Sequence, residues 1–243
     1  MMKASRALVI SLLCLGALGA AGAASAKERP QIAEDIAKTY GLDSFGQIEA
    51  IRYTFNAELG SRKVHRTWLW EPKADRVSYD GPDKAGKPLK LTYVRSQLGT
   101  QDAVVKEQVD PAFLNDQYWL LFPLHLSWDS AAKVEDGGTR KLPLGKGSAQ
   151  QVVVKYPSQG GYTPGDTWEL FVVGDNRVKE FIYRRGGSAK PSIVIASWAD
   201  YKKAGPLLIS LDHRGTADGN PVRIFFSDVG VKLTGSNTWV NAQ

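Results

Sequence analysis

The nonapeptide Ile51 to Leu59, IRYTFNAEL, alternates without a break. Ile51, Tyr53, Phe55, Ala57 and Leu59 occupy the odd positions, and Arg52, Thr54, Asn56 and Glu58 the even ones. Successive side chains of a strand point to opposite faces, so this pattern predicts a strand with one buried and one wet face. Gly60-Ser61 makes a turn, and the next strand sets Val64, Arg66, Trp68 and Trp70 on one face. Val77 and Tyr79, then Leu89, Leu91 and Tyr93, continue the pattern, separated by turn residues at Gly81-Pro82-Asp83 and Gly86-Lys87-Pro88. Downstream of a glycine-rich stretch around 137–147, strands are predicted over 151–156, 167–173, 177–184, 192–199, 207–212 and 222–229. Gly174-Asp175-Asn176-Arg177 reads as a tight hairpin connection.

Two helices interrupt the strands. Ile32, Ile36 and Tyr40 recur at a spacing of four, and Gly41 is a natural stop. Asp110 suits an N-cap and Pro111 the first helical position, with Phe113, Leu114, Tyr118 and Leu121 sharing a face. Pro123 predicts that this helix ends near Phe122. The segment 115–128, NDQYWLLFPLHLSW, is far more apolar and aromatic than a surface loop needs to be. It contains no glycine, so it is no flexible lid, and it belongs against or inside the mouth of a sheet.

These elements make a mainly β (α+β) chain of about ten antiparallel strands and two helices in one domain. A flat sandwich fits the inventory. A single-domain, strongly curved antiparallel sheet fits better, forming an incomplete barrel with helices covering the concave side. Large rings at alternating positions line a concavity that small side chains cannot fill.

The first 26 residues read as a cleaved signal peptide. Lys3 and Arg6 form the positive start, Leu8 to Leu18 the apolar run, and Ala24-Ser25-Ala26 the cleavage site. Cys14, the single cysteine, falls inside this segment behind Leu12 and Leu13, which do not suit a lipid-anchor signal. Removal leaves about 217 residues, 27–243, enough to bury one core without disulfides. A periplasmic location without a lipid anchor follows, and a monomer. The net charge of +6 drops to +4 with Lys3 and Arg6 gone, and the remaining charges are interspersed. Nucleic acid is thereby excluded as a partner.

Chemistry is not evident. His65 alternates with charged residues and reads as exposed, His125 lies in the apolar segment, and His213 sits in an Asp-His-Arg turn. None has a second ligand at metal spacing, no serine sits in a nucleophile elbow, and no cofactor motif appears. The chain therefore reads as no enzyme, without metal or cofactor.

Several segments together carry a resemblance. They are Arg66-x-Trp68-x-Trp70 followed by Val77-Ser78-Tyr79, then 115–121 with Pro123 and Leu126. Trp198-Ala199-Asp200-Tyr201 before Gly205-Pro206, and a closing strand with Asp228-Val229, complete the set. Their order resembles a group of exported bacterial proteins whose architecture is similar to the periplasmic lipoprotein carriers LolA and LolB. The resemblance implies an unclosed barrel with helices over the opening and an apolar cavity that accepts acyl chains.

The residues expected to line such a cavity are Tyr53, Phe55, Trp68, Trp70, Tyr93, Trp119, Leu121, Phe122, Trp128, Trp168 and Trp198. Arg66 joins them because it shares the face of Trp68 and Trp70. An inward arginine needs an acceptor, which a lipid headgroup, Glu58, Asp80 or water at a strand edge could supply. Two functions compete. One is a periplasmic binding or carrier protein for a lipid or acylated partner. The other is an envelope interaction module with a solid core and an exposed apolar docking segment near Leu120 to Trp128.

Overall fold

The structure is a computed structural model that describes residues 29–187 and 192–243. The predicted signal segment and Cys14 lie outside the described residues.

The described residues open with α1 (Gln31–Thr39), stopped at Gly41 with φ 103°. Four strands follow, β1 (Ile48–Leu59), β2 (Arg62–Glu71), β3 (Arg76–Pro82) and β4 (Pro88–Val94). A π-helical turn at Val105–Val109 leads into α2 (Asp110–Trp128). Next come β5 (Lys133–Lys141), β6 (Ser148–Lys155), β7 (Thr167–Val172), β8 (Val178–Arg184) and β9 (Ile193–Ser197). The chain closes with β10 (Ala199–Ala204), β11 (Leu207–Ala217), β12 (Asn220–Leu233) and β13 (Trp239–Asn241).

Among the described residues, all thirteen strands join one antiparallel sheet in the order β4-β3-β2-β1-β12-β11-β9-β8-β7-β6-β5, with β10 on β11 and β13 on β12. The sheet is open, with β4 and β5 as its edges. Register carries the alternation across strands. Tyr53 faces Trp68, which faces Tyr79, while Ile51 faces Trp70, which faces Val77.

Contacts of α2 show how far the sheet curves. Phe113 of α2 packs on Trp68 of β2, with centroids 5.5 Å apart. Phe122 of the same helix stacks on Trp168 of β7 at 4.0 Å. Strands β2 and β7 are six positions apart in the sheet, which is roughly 29 Å in a flat sheet at about 4.8 Å per strand. Phe113 and Phe122 lie only about 14 Å apart along the helix at ~1.5 Å per residue, so both contacts form only if the sheet curls around it. An incomplete barrel with a helix on its concave side is therefore the observed architecture. The helix is buried from Trp119 through Leu126, as expected of a helix that is apolar all round.

Five local expectations are refined or corrected. First, α2 breaks at Leu121, with φ −120° and ψ 16°, beside the predicted end at Phe122, and a second helical stretch then runs through Pro123 to Trp128. Proline removes the hydrogen bond that would go to the carbonyl of Trp119, four residues back. His213 lies in its place, with Nε2 3.2 Å from the Trp119 oxygen. Second, His213 is no turn residue but a fully buried position of β11.

Third, Asp110 does not cap the helix; its carboxylate accepts from Tyr93 Oη and Arg95 Nε, both at 2.8 Å. Fourth, the glycine-rich stretch is in part the edge strand β5, bulged between Asp136 and Gly138, where Gly138 has φ 69°. A bulge and the charges of Lys133, Arg140 and Lys141 blunt an edge that would otherwise pair with another chain. Fifth, Thr54 is buried despite its even position, under hydrogen bonds with Thr67 Oγ1 at 3.1 Å and Asp228 Oδ2 at 3.3 Å.

Candidate functional site

The expected cavity residues separate into three groups. Tyr53, Phe55, Trp68, Tyr93, Leu121, Phe122 and Trp198 are buried in the packed core. Trp70 and Trp128 are half-buried and close on Phe45 from two sides, at 5.9 and 4.6 Å. Only Trp119 and Trp168 reach a cleft. The concave side is thus filled by α2 rather than empty.

Arg66 finds a protein acceptor that neither Glu58 nor Asp80 provides. Its Nε and Nη2 donate to Asp116 Oδ2 at 2.7 Å and Oδ1 at 2.5 Å. Trp68 Nε1 donates to the same carboxylate at 2.8 Å, and Asn115 Nδ2 at 3.0 Å. The expected docking segment is likewise overturned, because Leu120, Leu121, Phe122, Leu124 and Leu126 are all buried.

The cleft that does exist has a volume of about 600 Å³, within the ~300–1,000 Å³ of small-molecule sites. The first half of α2 supplies one wall through Pro111, Leu114, Asn115, Tyr118 and Trp119. The β6–β7 connection supplies Tyr162, Thr163, Pro164 and Asp166, and the sheet supplies Trp168 and Tyr183. Arg185, Gly186, Gly187 and Ser192 border it beyond β8. Sequence reasoning missed most of these. Tyr162 had a signal, because it stands in a run of turn formers, Gly160-Gly161-Tyr162-Thr163-Pro164-Gly165, where a large exposed ring has no core to serve.

Two polar clusters fix the walls. Behind α2, Asp129 Oδ2 accepts from Tyr118 Oη at 2.7 Å and Tyr156 Oη at 2.5 Å, and its Oδ1 lies 3.0 Å from His125 Nδ1. His125 stacks on Tyr118 at 3.8 Å, and its Nε2 lies 2.9 Å from Gln117 Oε1. Burial pushes the Asp129 carboxyl up, but hydrogen bonds from His125, Tyr156 and Tyr118 outweigh it and hold it below the usual carboxylate range. The second nitrogen of His125 goes to an amide rather than to a hydroxyl or thiol, so this pair activates no nucleophile. Its effect is to lock the Tyr118 ring as a wall.

On the facing side, Asp166 accepts from Tyr183 Oη at 2.8 Å and from the Gly186 amide at 2.7 Å. Burial, then the Asp166 carboxylate, raise the Tyr183 phenol and keep it protonated.

The two loops bordering the cleft meet backbone to backbone. A Cβ on Gly186 would lie 2.2 Å from the carbonyl carbon of Gly165. Gly186→Ala must therefore push the loops apart, at an expected cost of about 1–3 kcal/mol. Thermal unfolding should show a lower Tm, and an unchanged Tm would mean that the loops do not meet in solution.

No family model matches this chain, and no curated protein matches it. Solved structures do resemble it. A DUF1329 family protein from Desulfovibrio piger is 8% identical over 87% of this chain and 96% of that one, with a TM-score of 0.46. A LolA superfamily protein from Nitrosomonas europaea is 8% identical over 84% of this chain and 94% of its own, also at 0.46. A domain from Vibrio parahaemolyticus described as an outer membrane lipoprotein-sorting protein is 10% identical over 87% and 95%, at 0.47. At these identities the likeness is one of chain path alone.

Proposed function

We propose that this chain is a periplasmic binding or carrier protein for a hydrophobic ligand, a lipid or an acylated partner, held in the cleft between α2 and the β6–β7 and β8–β9 connections. The observation that carries the reading is the aromatic wall. Tyr118, Trp119, Trp168 and Tyr183 border a space of about 600 Å³ that no side chain of the described residues fills. Burying an acyl chain contributes roughly 0.8 kcal/mol per methylene. Eight to ten methylenes then offset the lower part of the ~4–15 kcal/mol cost of association. No helix among the described residues is long and apolar enough to cross a membrane. The apolar run of 8–18 accounts for export, as a signal segment. The role needs no covalent step, metal or cofactor, and no second copy of the chain.

The test is titration with a fluorescent fatty-acid probe. Asn115 is exposed on the cleft wall, so Asn115→Trp places an indole into the space with little disturbance of the core. The variant should bind the probe at least tenfold more weakly, with the unfolding midpoint lowered only slightly by loss of the Asn115 hydrogen bond to Asp116. Equal binding by both proteins would place the ligand elsewhere.

A further inference from the structure

We propose that the β5–β6 connection, 142–147, is a tip that docks on an anionic membrane surface. Leu144 enters the bilayer interface, and Arg140, Lys141 and Lys146 meet the headgroups. The proposal does not rest on what the cleft binds.

The tip is held in one shape. Strand β5 ends at Lys141 and β6 begins at Ser148. Between them the Leu142 amide donates to the Gly147 carbonyl at 3.1 Å, and Gly147 has φ 106°, a conformation that favours glycine. Leu142 turns inward and packs with Ala149, Phe171 and Ile182 in a small cluster apart from the main core. Glu180 of β8, 5% exposed, accepts from the Leu144 amide at 2.7 Å. A Cβ on Gly145 would lie 2.8 Å from the other Glu180 oxygen, so glycine lets the loop sit against that carboxylate. A buried acid therefore fixes the loop, and the Leu144 side chain stands outside, 46% exposed.

Charge identifies the partner. Residues 137–151 carry Arg140, Lys141 and Lys146 and no acid. All three are exposed. Lys133 and Lys155 of the same two strands are both taken by Glu135, which leaves that acid no cation to spare for the tip. Successive side chains of a strand point to opposite faces, so Arg140 and Lys141 flank the tip on both sides. An outward leucine among cations suits a surface that is anionic above and apolar beneath, which a bilayer interface is. A soluble polyanion gives the cations a partner and the leucine none. Each Lys or Arg near an anionic leaflet strengthens binding about fivefold. Three of them with one leucine make a weak, reversible and salt-sensitive attachment. The tip precedes β6 and the β6–β7 connection of the cleft follows it, so the two lie at opposite ends of that strand and docking does not cover the cleft.

The experiment is co-sedimentation at low salt with two sets of vesicles, one of phosphatidylcholine and one with phosphatidylglycerol added. The protein should bind the anionic set at least tenfold more tightly, and added salt should remove the difference. Lys141→Gln/Lys146→Gln should erase most of that preference, at about fivefold per charge. Leu144→Ser should weaken binding to the anionic set severalfold, and Leu144→Trp should tighten it, because Trp favours the membrane interface. Lys63→Gln/Lys90→Gln removes the same charge from β2 and β4 and should preserve the preference. The five substituted side chains are exposed, so every variant should keep the parent's Tm.

Equal binding to both vesicle sets, or to neither, would overturn the proposal. So would an equal loss in the Lys63/Lys90 variant, which would make the attraction one of net charge. Leu144→Ser binding as well as the parent would show that no side chain enters the bilayer, and would overturn it in favour of a soluble polyanion. None of these outcomes bears on the cleft.

Discussion

Asp116→Ala is expected to cost about 3 kcal/mol of stability, the lower end of the range for breaking a buried ion pair. Asp116 is 0% exposed and receives four donor atoms, from Arg66, Trp68 and Asn115. Removing it leaves the guanidinium without a counter-charge and the Trp68 indole N–H without an acceptor. Arg66 keeps 21% of its side chain in water, which moderates the loss. The pair also joins β2 to α2, so its loss loosens the helix that fills the concavity. Urea denaturation measures this as a midpoint lowered by ~1 M or more, at slopes of about 1–3 kcal/mol/M. The double variant Arg66→Met/Asp116→Leu should recover much of the loss, because it leaves no uncompensated charge. An Asp116→Ala midpoint equal to that of the parent would show that the pair contributes nothing.

Acid should destabilise the protein through His213 before it titrates most carboxylates. Burial pushes the imidazole down to about 4 from 6.5, despite neighbouring carbonyls of Ser197 and Trp119 that favour the charged form. Between those values the unfolded chain binds a proton that the folded chain refuses, so stability rises with pH. His213 therefore contributes fully above pH 6.5, and that contribution is lost as pH falls to about 4. The loss is about 3 kcal/mol at ~1.4 kcal/mol per pKa unit. His213→Gln retains a donor for the Trp119 carbonyl and has no such titration. Its stability should fall less steeply than the parent's across that window, whatever its absolute value. Parallel pH profiles for the two proteins would assign the acid sensitivity to other groups.

Much of the fold is legible locally. The strand at 51–59, the Gly174–Arg177 hairpin and the stop of α1 at Gly41 each depend on a few neighbouring residues, and each stands where the spacing places it, although Thr54 is buried and Leu59 exposed against the alternation. Strand β5 does not announce itself. Its sequence, KVEDGGTRK, lies on a sheet edge, and an edge strand needs few apolar side chains. The cleft is less legible still. Trp119 and Trp168 were among the expected residues, but composition could not separate them from Trp68 or Trp198, which are as aromatic and lie in the solid core.

The sequence alone determined most of the antiparallel strands and their turns and favoured the curved arrangement over a flat sandwich, because period and turn chemistry act over a few residues. Tertiary structure alone decided three other matters. Helix resumes beyond the break at Leu121, and the Trp119 carbonyl that Pro123 leaves free is met by His213 from 94 residues away. Arg66 is bound by Asp116, 50 residues on. The aromatic segment 115–128 fills the concavity instead of lining an empty one, leaving a cleft where the first half of α2 faces the β6–β7 connection. Each is a contact between groups remote in the chain, and no local spacing encodes which remote partner a buried polar group or ring will meet.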